Sequence, residues 1–258
     1  MNDSPDHAKP AAGPVALVTG GAKRVGRATT ERLAGRGYRV AIHANSSAAA
    51  AEELADKIKD NGGDAATFVA DLSDEAATRA MVDAAAERFG RLDAVVHCAA
   101  IWSPTPLEEV TADDVRRNLE VNTVGAFVVA QHAGLRMCVQ ESGGAIVLFG
   151  DAACERPQTG YAAYHPSKGA IPAMTRSLAV ELAERNAAVR INAVLPGPVL
   201  ASPDEPEERR RHVAEGVLVD TVGDAAHLAE AAVHLIENKF VTGVCLPVEG
   251  GRLLDGGW

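Results

Sequence analysis

Thr19-Gly20-Gly21-Ala22-Lys23-Arg24-Val25-Gly26 follows the short apolar run VALVT and opens the amphipathic stretch VGRATTERLAGRG. A glycine-rich turn between a strand and a helix is suited to cradle a phosphate. Paired glycines permit a sharp turn, a later glycine lets the helix approach the sheet, and the helix N-terminus attracts an anion such as pyrophosphate. Gly20 and Gly21 fill the first role and Gly26 the second. Thr19, Gly20, Lys23, Arg24 and Val25 are therefore the first candidate contacts for a dinucleotide.

Outward from this turn the same alternation repeats. YRVAIHA precedes SAAAAEELADKIKDNG, AATFVAD precedes DEAATRAMVDAAAERFG, and LDAVVHCAA follows. A long helix through roughly 111–140, a strand at GAIVLFG, a helix beginning near Tyr161, a strand at VRINAVLPG, a helix near 224–238 and a last strand at GVCLPVEGG complete the pattern. Short apolar strands joined by helices of several turns imply a parallel sheet covered on both faces. The predicted fold is α/β, a single Rossmann-like doubly wound, mainly parallel seven-stranded sheet. Residues 1–13 are expected to be a flexible N-terminal arm and 14–258 one domain. A lid-like insertion is expected near 198–216, where three prolines and a dense charge cluster interrupt the alternation.

Composition narrows the partners. A net charge of -10 disfavours nucleic acid and anionic membranes, both of which need a basic face, so small molecules are the expected ligands. Cys98, Cys138, Cys154 and Cys245 form no C-x-x-C pair, which suggests reduced thiols in a cytoplasmic protein, with no metal site and no disulfide framework. No secretory signal pattern and no run of about 18 apolar residues is present.

A dinucleotide site declares its cofactor at the end of the second strand, where an acidic residue would bind the ribose hydroxyls of NAD. Here that place reads Ile42-His43-Ala44-Asn45-Ser46-Ser47, without a carboxylate. The amide and hydroxyls of Asn45, Ser46 and Ser47, with His43 beside them and Lys23 and Arg24 in the neighbouring turn, suit the 2′-phosphate of NADPH. Asp71-Leu72, after the third strand, is expected beside the adenine, although DLSD equally reads as a helix cap built on Ser73 or Asp74.

Tyr164 and Lys168 stand four residues apart, on one helical face, and an ammonium near a phenol stabilises the phenolate and lowers the phenol's pKa. With this pair the chain resembles the short-chain dehydrogenases/reductases over roughly residues 14–251, through TGGAKRVG, ADLSD, VHCAA, LEVNTVG, Y-x-x-x-K, NAVLPGPV and VTGVCLPVEGG. The resemblance implies that Tyr164 donates the proton and that Lys168 binds the nicotinamide ribose. It implies also that Asn122 holds a water in a proton relay and that Pro196-Gly197 walls the nicotinamide, with Cys98 and Ala99 against the cofactor. It further implies a homotetramer paired through the helices around 111–140 and 161–184 and the C-terminal strand.

Three departures refine the picture. Most members of the family carry a serine thirteen residues before the tyrosine, whereas this chain has Asp151. Aspartate there, together with a T-G-x-x-x-R-x-G turn, is similar to the pteridine and dihydromonapterin reductases. That likeness implies a pterin-like C=N substrate, with Asp151, Tyr164, Lys168 and Asn122 as catalytic residues and Arg24, Trp102, Asp151 and Tyr164 around the substrate. A ketone reductase, such as a 3-oxoacyl thioester reductase, and a non-catalytic NADPH sensor are the alternatives. Cys98 replaces the family's asparagine, and a thiol cannot repeat the two-sided hydrogen bonding of an amide. Pro172, well inside the helix after Tyr164, cannot donate to the carbonyl four residues back, so a kink or a water is expected there.

Overall fold

The computed structural model describes residues 13–200 and 206–254. Strands β1 (Val15–Thr19), β2 (Arg39–Ala44), β3 (Ala65–Val69), β4 (Ala94–His97), β5 (Gly144–Phe149), β6 (Val189–Pro196) and β7 (Cys245–Val248) form one sheet in the order β3-β2-β1-β4-β5-β6-β7. Every neighbouring pair is parallel. Each strand must therefore be followed by a crossover, and helices α1 (Arg24–Gly35), α2 (Ala48–Asp60), α3 (Glu75–Phe89), α4 (Ala112–Leu119), α5 (Gly125–Cys138), α6 (His165–Arg185), α7 (Glu207–Ala214) and α8 (Ala225–Glu237) occupy those crossovers. Successive strand residues point to opposite faces. Val15 and Leu17 thus join the core under α3, α5 and α6, while Ala16 and Val18 join the one under α1, α2 and α8. The strand order reverses between β1 and β4, and there the carboxyl ends of the strands open a crevice for a ligand.

Several boundaries differ from the sequence reading for identifiable reasons. The helix expected near Tyr161 begins at His165, because Tyr164 and His165 both donate backbone N–H groups to the Tyr161 carbonyl in a preceding turn and Pro166 occupies the first helical turn. Tyr164 is consequently the N-cap residue, yet Lys168 still donates its backbone N–H to the Tyr164 carbonyl, so the two remain one turn apart. Helix α6 continues through Pro172. The long helix at 111–140 is α4 and α5 joined by a π-helical turn, Glu120–Val124, and begins with a capping box formed by Thr111 and Asp114. Part of the insertion near 198–216 folds as α7, with Glu207 and Glu208 in the first turn where the helix dipole favours acidic residues. The remainder of that insertion at 201–205, and nearly all of the expected N-terminal arm, lie outside the described residues.

The far end of the sheet is tied by one buried cation. Arg190, on β6, donates to the carbonyls of Leu235 (2.8 Å) and Ile236 near the end of α8, and to that of Val241 (2.9 Å) beyond the helix. Among the described residues no helix is long and apolar enough to cross a membrane.

Candidate active site

The turn after β1 adopts the conformation its glycines permit. Gly20 has a φ of 61°, and a Cβ on Gly26 would stand 2.1 Å from the Gly20 carbonyl oxygen, so any side chain at 26 would force the first turn of α1 away from the loop. Arg24 is the one described non-glycine residue with a positive φ, 50°, a backbone region that ordinary side chains rarely occupy. His43 lies beneath this turn. Its Nδ1 accepts from the Gly20 N–H (3.2 Å) while its Nε2 faces the Ala70 carbonyl (3.1 Å), and burial depresses its pKa, favouring the neutral ring. A residue read from sequence as a cofactor contact thus has both ring nitrogens engaged in holding the turn.

Thr19, at the end of β1, ties that strand to β4. Its Oγ1 accepts from the Ala99 N–H (3.3 Å) and lies 3.0 Å from Nδ1 of the buried His97, while its carbonyl accepts from the Cys98 N–H (3.2 Å). These bonds join β1 to β4 where Cys98 replaces an amide, and burial pushes the Cys98 thiol up to about 12. Burial likewise lowers the His97 ring to about 3, and among the described residues its Nε2 has no hydrogen-bond partner.

The reacting groups converge from β5 and α6. Asp151, two residues beyond β5, accepts from the Ala153 N–H (2.8 Å) with one carboxylate oxygen and from the Tyr164 hydroxyl (2.8 Å) with the other. Lys168, which is buried, donates from Nζ to the Phe149 carbonyl (2.8 Å). The sequence reading expects the ammonium to make the phenol more acidic. Instead burial, followed by the Asp151 charge and hydrogen bond, raises the Tyr164 pKa well above its ordinary value, while burial lowers Lys168 to about 8 against the opposing pull of Asp151. Asn122 sits in the π-helical turn, fully buried. Its Oδ1 accepts from Ile101 N–H (2.9 Å) and its Nδ2 donates to the Ile101 carbonyl (3.0 Å) and to Ser167 Oγ (3.0 Å), and Ser167 in turn donates to the Tyr164 carbonyl (2.6 Å). The chain Ile101–Asn122–Ser167–Tyr164 fixes the start of α6 relative to β4.

One cavity of about 690 Å³ gathers most of the residues singled out from sequence: Gly20, Lys23, Arg24, Val25, Ser47, Cys98, Ala99, Trp102, Asp151, Tyr164, Lys168, Pro196 and Gly197. That volume lies in the range of ligand sites. Outside its lining are Thr19, His43 and Asn122, which brace it, and Asn45, Ser46, Asp71 and Leu72 at the ends of β2 and β3. Leu72 is a core residue. Asp71 is exposed and accepts from the Ser73 N–H (2.9 Å) and hydroxyl (2.7 Å), bonds that hold its carboxyl below the usual range, while Asp74 caps α3.

Sequence reasoning missed part of the lining. Tyr161 stacks on the half-exposed Trp102, with ring centroids 5.3 Å apart and planes 12° from parallel, and meets Tyr164 edge-on at 6.0 Å. The three-residue spacing Tyr161 to Tyr164 was the available signal. Arg156, Arg252 and Leu253 carried none, because they belong to no motif, and Glu249 stands within VTGVCLPVEGG with no role that the motif assigns it. The segment after the last strand lines the cavity through Arg252 and Leu253, and residues 255–258 lie outside the described residues.

A glycine cradle at a helix start, opening into the same cavity as a tyrosine, a buried lysine and a carboxylate, defines a nicotinamide-dependent oxidoreductase. The chain belongs to the short-chain dehydrogenase family, whose model matches residues 14–211. It is 36% identical over 248 residues to the uncharacterized oxidoreductase YgfF of Escherichia coli, covering 92% of this chain and 99% of that protein. It is also 31% identical to glucose 1-dehydrogenase 2 of Bacillus subtilis, covering 94% of this chain and 95% of that protein. A blue fluorescent protein from a metagenomic library, solved in complex with NADPH, superimposes with a TM-score of 0.83 at 32% identity, covering 95% of this chain and 99% of that one.

Proposed function

We propose that the protein uses NADPH to reduce a flat C=N heterocycle of the dihydropterin, dihydromonapterin or dihydrofolate type. The observation that carries this reading is the 2.8 Å hydrogen bond from the Tyr164 hydroxyl to Asp151, in a cavity that the Trp102 and Tyr161 rings also line. A carboxylate is an acceptor and suits a ligand bearing N–H donors, as amino-substituted heterocycles do. Two aromatic rings offer a flat surface to a flat substrate.

Preference for the phosphorylated cofactor is supported by the absence of a carboxylate among Asn45, Ser46 and Ser47 at the end of β2, and by Lys23 and Arg24 in the neighbouring turn. The NADPH complex of the similar metagenomic protein agrees with it. The cradle fits a pyrophosphate, since Gly26 leaves the backbone of the turn and the first turn of α1 in contact. When bound, the cofactor supplies the hydride.

The chain's own groups manage the proton. Hydride addition to the C=N carbon leaves the electron pair on nitrogen, a strongly basic atom. Tyr164 holds its proton firmly because of burial and Asp151, so it gives it up only to such a base. The resulting phenolate lies one helical turn from the Lys168 ammonium, which offsets its charge. Asn122 and Ser167 keep Tyr164 in register with this task. Reduction adds one hydride and one proton, giving a C–N single bond and oxidised cofactor. Tyr164, Asp151 and Lys168 lining one cavity, braced by Asn122 and Ser167, support catalysis over a sensor role.

Oxidation of NADPH followed by its absorbance, with a dihydropterin, dihydrofolate and an acetoacetyl thioester offered separately and NADH as control, tests the reading. Turnover of the heterocycles supports it. Turnover of the thioester alone overturns it in favour of a ketone reductase, a second reading favoured by the glucose dehydrogenase relative, whose name places its chemistry at a C–O bond. A homotetramer is supported by the apolar side chains that α5 and α6 expose, Phe127, Leu135 and Val180 among them, and a reducing cytoplasmic setting by four free thiols.

A further inference from the structure

We propose that the substrate carries an oxyanion, a carboxylate or a phosphate, remote from the atom that is reduced, and that Arg252, positioned by Arg156, receives it. The inference rests on the reductase reading of the cavity but not on which double bond is reduced.

Cations line the cavity at both ends. Lys23 and Arg24 belong to the turn after β1, where a dinucleotide's phosphates are accommodated. Arg252 follows β7, and β4, β5 and β6 stand between, so at about 4.8 Å per strand the two groups rise from strand ends about 19 Å apart. One pyrophosphate cannot use both. Arg156, from the segment between β5 and α6, joins the second group, since its Nη1 donates to the Arg252 backbone carbonyl at 3.0 Å.

The local backbone is built to hold Arg252 over the cavity. Gly250 and Gly251 have φ angles of 66° and 82°, and a Cβ on Gly251 would stand 2.9 Å from the Leu218 side chain, so two glycines are needed to fold the chain back after β7. Glu249 locks the turn, its two carboxylate oxygens accepting from the N–H groups of Gly251 (3.2 Å) and Leu253 (2.8 Å). The Arg252 Nη1 donates to the Glu215 carbonyl at 2.7 Å, a neutral acceptor that orients the guanidinium, and among the described residues no carboxylate forms an ion pair with it. A guanidinium has five donors in a planar fork, and carboxylate and phosphate are the groups that match that fork. In a chain of net charge -10, two guanidinium groups lining the same cavity as Tyr164 and Lys168 support a role toward an anionic ligand.

The test is calorimetric titration of the NADP-loaded full chain with 2-naphthoate, 1-naphthyl phosphate and neutral 2-naphthamide, flat probes differing in their charged group. Native protein is expected to bind at least one anionic probe about tenfold or more tightly than the amide, by the strength of a charge-assisted hydrogen bond. Arg252→Met is expected to remove that preference while NADPH still binds, and Arg252→Lys to restore part of it. The two anions distinguish a carboxylate site from a phosphate site. Equal binding of all three, a preference that survives Arg252→Met, or no anion binding at millimolar concentration overturns the proposal. These outcomes are independent of turnover, so failure of the C=N reading would leave them legible.

Discussion

Lys168→Met offers a sharp test of how the reactive cavity is constructed. Burial lowers the Lys168 ammonium from 10.5 to about 8. At about 1.36 kcal/mol per tenfold change in proton affinity, holding that charge in the folded chain at pH 7 costs about 3 kcal/mol relative to a neutral side chain. Methionine has similar length and no charge, but leaves the Phe149 carbonyl without the ammonium, a loss of about 1–2 kcal/mol. The variant should therefore be about 1–2 kcal/mol more stable than the native chain at pH 7, and inactive. Between about pH 8 and 10.5 the unfolded native chain keeps a proton that the folded chain has released, so native stability gains with rising pH through that window. The variant lacks this gain, and its advantage should shrink by about 2–3 kcal/mol between pH 7 and 10. Urea unfolding of both proteins at the two pH values, at matched concentration, isolates the effect, because groups not coupled to Lys168 cancel in the difference. A stability gap that stays constant or widens from pH 7 to 10 would refute the claim that a buried, destabilising ammonium is held here for function.

Three further outcomes are expected. Asp151→Ser should lower kcat/KM for a C=N heterocycle by about 100-fold or more while sparing ketones, and should move the phenol ionisation of Tyr164 downward, since the neighbouring carboxylate is among the causes that raise it; a pH–rate profile identical to native protein would count against a proton role for Asp151. Gly26→Ala places a Cβ 2.1 Å from the Gly20 carbonyl oxygen, and should weaken NADPH binding by about tenfold or more, equivalent to about 1.4 kcal/mol, measured by fluorescence titration. Tyr161→Ala removes the ring stacked on Trp102 and should raise KM for flat substrates about 2–10-fold, from about 0.5–1.5 kcal/mol of aromatic contact, with kcat nearly unchanged in steady-state assays.

The fold was legible because its elements are long, periodic and separated by turn residues. The 224–238 segment reads as a helix and is one, with Asp224 accepting from Ala226 and His227 N–H groups at its start. What local pattern could not show is how elements meet. His43 looks like a ligand contact at a strand end, yet its ring points beneath the turn, a fact set by the pairing of β2 with β1 and β3. The acidity of Tyr164 was read from Lys168 alone, four residues away, because helical spacing is visible in sequence. Asp151 is near in space through the end of β5, and burial, followed by its charge, reverses the direction of the shift. The π-helical turn that buries Asn122 has no residue signature of its own.

The electrostatics of the cavity explain why these groups occur together. Tyr164 and Lys168 are both displaced toward their neutral forms by burial, and Asp151 pulls oppositely on each, strengthening the phenol's hold on its proton while helping the ammonium keep its own. A site with this balance keeps a full proton inventory at neutral pH and surrenders a proton only when strong negative charge appears beside it. On the proposed reading, hydride arrival at the C=N carbon would make the adjoining nitrogen far more basic than the Asp151 carboxylate that already accepts from the phenol. On that reading proton release would be tied to hydride delivery by electrostatics, with the cost carried by the buried Lys168 ammonium.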